Sequence, residues 1–375
     1  MLSAQAKPYR IIDTDRHVTE PLDMWEQLLS EQYRSYAPKV QVTASNGDSP
    51  AYPQLTLGDR ALLKGFSYQT YLEAQSQNTV HGDPARIATT GPSQLSAMDA
   101  QEVDCALQLP SVANYCINAD FIEADIAAAL ADAYHRWLFD YCRPDPQRLL
   151  GVGVIPRQSV AVMLDAQAQS IANGWRAVAM RPELIGGRTL GSADYDEFWC
   201  RCVERDIAVI IHGGTHLSGH TVGADRFSTR FALHACAHQI EAQMAFLSLL
   251  EGGVFERFPT LRIAFLEAGC GWLPAWLWRL DEHCYLTARE EISDRINMKP
   301  SDYFRRQCWI GFELDEPNLQ QVAQCIGADK LLYGSDFPHP DHLHYGGPAQ
   351  QLAETFSEVE LEKILCTNAK TFLGL

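Results

Sequence analysis

Eight apolar runs, separated by segments of helical periodicity, constrain the fold of this 375-residue chain more than any other feature. They are Tyr9–Asp13, Val103–Pro110, Leu149–Ile155, Ala177–Met180, Ile207–His212, Leu261–Glu267, Cys308–Glu313 and Lys330–Ser335. Apolarity that is continuous rather than alternating fits strands buried on both faces, as in a parallel sheet. The stretches between them read as helices: 120–141 is Ala-rich and amphipathic, 160–173 ends at Asn-Gly, and 195–205 and 235–255 follow. This alternation predicts an α/β fold, a (β/α)8 TIM barrel forming a single domain over residues 1–375. One stretch departs from it. Residues from about 40 to 94 are rich in Ser, Gln, Gly, Pro and Tyr, and form a long insertion after the first strand. It is read either as a lid over the catalytic face or as a surface excursion with no catalytic part.

In such a barrel the polar residues at the C-terminal ends of strands line the site. Reading those ends in order gives Asp15 and His17, Arg181, His212, Glu267, Glu313 and Asp336. Asp15 and His17 are two apart in an extended segment and so project to one face, able to ligate one ion together. His212 closes an apolar run and is followed by Gly213-Gly214, where backbone or substrate can approach closely. Asp15, His17, His212 and Asp336 supply two imidazoles and two carboxylates, a set suited to zinc, with manganese the alternative. Singly, each residue has a plainer reading. His17 could cap a helix or pack in the core, and Asp336 could form a turn before Pro338. Asp13 is read as structural, hydrogen-bonding across the barrel mouth on the same side as Asp15.

These blocks resemble a known group. Ile-Asp13-x-Asp15-x-His17, His212, Phe-Leu-Glu267-Ala-Gly-x-Gly-Trp272-Leu-Pro274 and Gly-Ser335-Asp336-Phe-Pro338-His339 are similar to motifs of the amidohydrolase superfamily. The branch is the one typified by aminocarboxymuconate-semialdehyde decarboxylase, and the resemblance runs from about Tyr9 to Leu373. It implies a barrel holding one zinc or manganese ion, with decarboxylases or hydrolases of small acids as its members. Its metal ligands correspond to Asp15, His17, His212 and Asp336. Two positions depart from the type: Asp15 stands where histidine is usual, and Glu267 replaces a catalytic histidine. A glutamate there serves as a general base or as an additional ligand.

Further candidates surround this set. Arg181 is read either as a clamp for a substrate carboxylate or as the ion-pair partner of Glu183 or Glu204. His216, His220, His234 and His238 crowd the region after the fifth run; His216 or His220 could touch substrate, whereas His234 and His238 could cap or pack. Trp272 could wall the pocket, Glu313 could hold a polar end of the substrate, and His339 and His342 could bound its mouth.

Composition narrows the partners. A net charge of −17 with no compensating Lys/Arg block argues against nucleic acid and anionic membranes. Eleven scattered cysteines, none in a Cys-x-x-Cys pair, and no signal-peptide pattern at the start lead to the expectation of reduced thiols in the cytoplasm. No apolar stretch reaches membrane-spanning length. A homodimer is compatible with the acidic surface. The expected activity is that of a metal-dependent non-oxidative decarboxylase of a small carboxylic acid, with Asp336 and Glu267 catalytic. Hydrolysis of an amide, lactone or related C–N or C–O bond is the alternative reaction, and a non-catalytic barrel binding protein the alternative class.

Overall fold

The computed structural model describes residues 9–42, 53–63, 88–214, 220–339 and 347–375. Eight parallel strands stand in the order β1 (Ile12–His17), β5 (Cys105–Leu109), β6 (Leu149–Val154), β7 (Ala177–Met180), β8 (Ala208–His212), β9 (Ile263–Leu266), β10 (Cys308–Phe312) and β11 (Leu331–Tyr333). Helices fill the connections, among them Ala124–Cys142, Val160–Ala172, Asp196–Glu204 and Gln239–Glu251. The ring closes where β1 meets the chain after β11. There Arg16 bridges Phe337 in parallel, His17 N donates to Phe337 O at 2.7 Å, and Asp336 N donates to Asp15 O at 2.8 Å. The protein is a (β/α)8 barrel.

Strand side chains divide by alternation between two packed layers. One set, including Ala177, Ala179, Ala208, Ile210, Ala264 and Leu266, packs inside the barrel with Trp309 and Phe372, whose rings lie 5.5 Å apart. The other, including Val178, Val209, Ile211, Phe265 and Ile310, packs against the helices. Small alanines on the inner face let eight strands converge, and burial of both faces is why these runs are continuously apolar.

The first strand differs from its prediction. It was expected to end at Asp13, but it runs on to His17, carrying five polar residues that are all buried. Its register against β5 advances from Asp13↔Ala106 to Arg16↔Gln108, so β1 holds one extra residue. That bulge breaks the alternation: Ile12 belongs to the inner layer, and beyond the bulge Asp15 and His17 point inward. Asp13, opposite Ala106 of the outer layer, turns to the closing seam instead of sharing the side of Asp15. There it accepts from Ser335 N at 3.0 Å and Ser335 Oγ at 2.6 Å, tying the first strand to the last.

The insertion contains a small antiparallel sheet, β2 (Lys39–Val42), β3 (Pro53–Leu57) and β4 (Arg60–Ala61), which its weak periodicity did not announce. The Arg60 guanidinium lies 4.0 Å from the Phe121 ring centre, docking this sheet beside the chain after β5. Residues 43–52 and 64–87, on which much of the lid reading falls, lie outside the described residues. No helix among the described residues is long and apolar enough to cross a membrane.

Candidate metal centre

The strand ends bring Asp15, His17, His212, Glu267 and Asp336 to one rim. His17 Nε2 lies 3.3 Å from Asp15 Oδ1, from Glu267 Oε2 and from Asp336 Oδ1. His212 Nε2 lies 3.3 Å from Asp15 Oδ1 and 3.0 Å from Glu267 Oε2. The donor atoms of Asp15, His17, His212 and Glu267 all lie within 4.8 Å of one another. A second set of the same tightness joins His17 and Glu267 to Asp336 and His339.

This arrangement fits a divalent metal. Two donors each about 2.1 Å from one ion, at tetrahedral or octahedral angles, stand about 3.0–3.4 Å apart. The contacts above fall in that range. His17 Nε2 and Glu267 Oε2 are buried and make no hydrogen bond of acceptable geometry. Buried polar atoms are seldom left so, and an ion held between them resolves the deficit.

Carboxylates and imidazoles at the rim shift one another against the effect of burial. Burial works to push His212 down, but the Glu267 and Asp15 carboxylates outweigh it and raise the imidazole to about 10. Burial lowers His17 in the same way, and the Asp15 and Glu267 carboxylates beside it reverse that shift. Burial alone would raise Asp15, yet His212 and His17 bring it to about 2. Glu267, also opposed by burial, is held well below the ordinary carboxylate range by His212, His17 and His238.

Each side chain is held from behind. His17 Nδ1 contacts Pro110 O at 2.9 Å, which turns Nε2 to the centre. The adjoining turn is fixed by buried Glu20, whose carboxylate accepts from the backbone N–H groups of Ser111, Val112 and Ala113, each at 3.0 Å. Ser111 Oγ in turn meets His339 Nε2 at 3.0 Å, and His339 Nδ1 meets Asp336 Oδ1 at 2.7 Å. A Cβ on Gly334 would lie 2.6 Å from Asp15 Cβ, so only glycine lets the last strand approach the first this closely. Glu267 and Asp336 both adopt left-handed backbone, φ 49° and 51°, a conformation uncommon outside glycine and concentrated at functional sites.

Several candidates take other places. Arg181 is fully buried and its guanidinium is engaged by both carboxylate oxygens of Glu183 and by Gly213 O, the ion-pair arrangement with Glu183. Trp272 is buried, and its Nε1 donates to Ala268 O and Gly269 O, stapling the turn after β9 from within. His220 pairs with Asp120 Oδ2 at 3.4 Å on an exposed stretch. Glu313 lies just past β10, where its backbone N donates to Glu316. His339 sits on Asp336, beside the centre. His216 and His342 lie outside the described residues. Two residues beside the site were not assigned to it from the sequence. Glu20 lies three residues past His17. His238, read only as capping or packing, brings Nε2 to 2.9 Å from Glu267 Oε1.

A family model described as Amidohydrolase matches residues 12–375, and the chain belongs to that family. Within it, the chain is 26% identical over 232 residues to the 2-amino-3-carboxymuconate-6-semialdehyde decarboxylase of Dictyostelium discoideum, a match spanning 62% of each chain. An amidohydrolase from Mycobacterium avium subsp. paratuberculosis superposes with a TM-score of 0.75 at 24% identity, covering 98% of this chain and 100% of that one. A 5-carboxyvanillate decarboxylase from Novosphingobium aromaticivorans, solved with bound manganese, superposes with a TM-score of 0.69 at 19% identity, covering 98% of each chain.

Proposed function

We propose that the protein is a metal-dependent, non-oxidative decarboxylase of a small carboxylic acid. The observation that carries this reading is the convergence of Asp15, His17, His212 and Glu267 donor atoms within 4.8 Å at the rim of the barrel. Asp15, His17 and His212 would hold the ion, with Asp336 beside them. Zinc and manganese both suit imidazole with carboxylate, and the number of carboxylates at this rim favours the harder manganese. When bound, the ion supplies positive charge that orients an anionic acid and draws electron density from it.

The remaining work falls to the chain. In decarboxylation the carbon–carboxylate bond breaks, its electron pair stays on carbon, and that carbon takes up one proton. Asp336 would deliver it, a role supported by its 2.7 Å contact with His339, an imidazole backed by Ser111 that would resupply the proton. Glu267 lies beside the His17 and His212 imidazoles. Asp336→Asn is expected to abolish turnover while leaving the circular dichroism spectrum and the melting temperature near those of the wild type. Full activity in that variant contradicts the assignment.

Hydrolysis is the second reading, favoured by a glutamate at the position where a histidine is usual. The two separate in 18O-labelled water, using metal-loaded protein and a panel of small carboxylic acids and lactones. A decarboxylase releases one carbon dioxide per acid consumed and leaves the product unlabelled; label in the product identifies a hydrolase. Eleven free thiols support a cytoplasmic location, and light scattering tests the expected homodimer.

A further inference from the structure

We propose that Glu267 is itself a ligand of the ion, and that His238 is the positioning residue that fixes it in that role. The inference rests on the metal reading above and adds to it a protein ligand and the group behind it. The two oxygens of Glu267 are differently engaged. Oε2 faces the centre, 3.0 Å from His212 Nε2 and 3.3 Å from His17 Nε2, and makes no hydrogen bond of its own. Oε1 points the other way, to His238 Nε2 at 2.9 Å. One oxygen on an outer imidazole and one aimed at the centre is the arrangement of a monodentate carboxylate ligand with its outer support.

Glu267 is also common to both sets of converging donors, whereas Asp336 enters only the one with His339. Glu267 completes the set of Asp15, His17 and His212, and Asp336, 3.3 Å from His17 Nε2, borders it while meeting His339. A general base would need an oxygen open to water. Here Oε1 is taken by His238 and Oε2 lies among the imidazoles.

The backbone on each side secures the contact. The turn bearing Glu267 is pinned by Glu316, which accepts from Cys270 N at 2.8 Å and Gly271 N at 3.1 Å. His238 sits at the junction of helices Arg230–Ala237 and Gln239–Glu251, its ring 4.8 Å from that of His234. A Cβ on Gly213 would lie 3.1 Å from Ala237 O and 3.5 Å from His238 Cα. The glycine that follows His212 therefore gives His238 the room to reach Glu267.

The test is the affinity of chelator-stripped protein for Mn2+ and Zn2+, measured by competition with a fluorescent chelator, with circular dichroism confirming that each variant is folded. Glu267→Gln is expected to weaken binding at least about 100-fold, and His238→Ala about tenfold, in the range typical of outer-support losses. His238→Gln, which keeps a donor, should recover part of that loss, as a merely structural role would not. Wild-type affinity within twofold in Glu267→Gln, alongside loss of binding in His17→Ala, overturns the role of Glu267 and leaves the metal centre standing. Wild-type protein that takes up neither metal overturns both.

Discussion

His212 and His135 are both buried, yet their surroundings drive them in opposite directions. His212 stands at the barrel rim between Asp15 and Glu267, whose charges overcome burial and raise it to about 10. His135 sits in the seam between helix Ala124–Cys142 and β6, where burial pushes it down to about 4. There Val154 N–H donates to Nε2 at 2.9 Å, so Nδ1 carries the proton and donates to Gln169 Oε1 at 2.8 Å. Equal burial thus yields an imidazole set among carboxylates in one place and a neutral packing imidazole in the other. Partners, not depth, mark the functional histidine.

The sharpest way to break that contrast is to remove each ring. His212→Ala should weaken Mn2+ or Zn2+ binding by about a thousandfold, on the order of 4 kcal/mol. His135→Gln, which can reproduce both hydrogen bonds, should leave metal affinity unchanged. Chelator competition reads both.

Acid should expose the seam next. The folded value of His135 lies below its ordinary 6.5, so the unfolded chain takes up the proton first as pH falls. The stability it contributes is complete above about pH 6.5 and is lost progressively down to about pH 4, on the order of 3 kcal/mol in all. Urea unfolding across that range should show the decline, and His135→Gln should flatten this component of it.

A smaller loss is expected at the back of the rim. Glu20→Ala strands three backbone N–H groups at Ser111, Val112 and Ala113, and should cost about 2 kcal/mol in urea unfolding. It should also loosen the contacts that Pro110 and Ser111 make with His17 and His339. The smallest effect concerns strain. At Glu267, with φ 49°, metal-free Glu267→Val should be less stable than Glu267→Asn by about 1 kcal/mol, because asparagine tolerates left-handed backbone and a β-branched residue does not.

Much of this architecture was legible in the sequence, for a physical reason. A strand buried on both faces must be apolar throughout, so seven of the eight strands fall within their apolar runs, while the first extends past its run. β1 escaped because the segment Asp13–His17 is polar and nonetheless buried, stabilised by partners supplied from distant turns. Arg16, for example, donates to Gln101 Oε1 at 2.6 Å and stacks 4.3 Å from Phe337. The rim residues were legible because strand ends in a closed barrel necessarily face one another. His238 was not: it reaches the site from a helix junction, and no periodicity records which loop residue folds back. The same holds for Glu20, whose role depends on a turn 91 residues further along the chain.

The central claim, a metal centre built by Asp15, His17, His212 and their carboxylate neighbours, is tested most directly by elemental analysis of purified protein before and after reconstitution with Mn2+ or Zn2+. The rim predicts about one equivalent of metal per chain, reduced to a trace by His17→Ala. Wild-type protein that stays below about a tenth of an equivalent after reconstitution contradicts it.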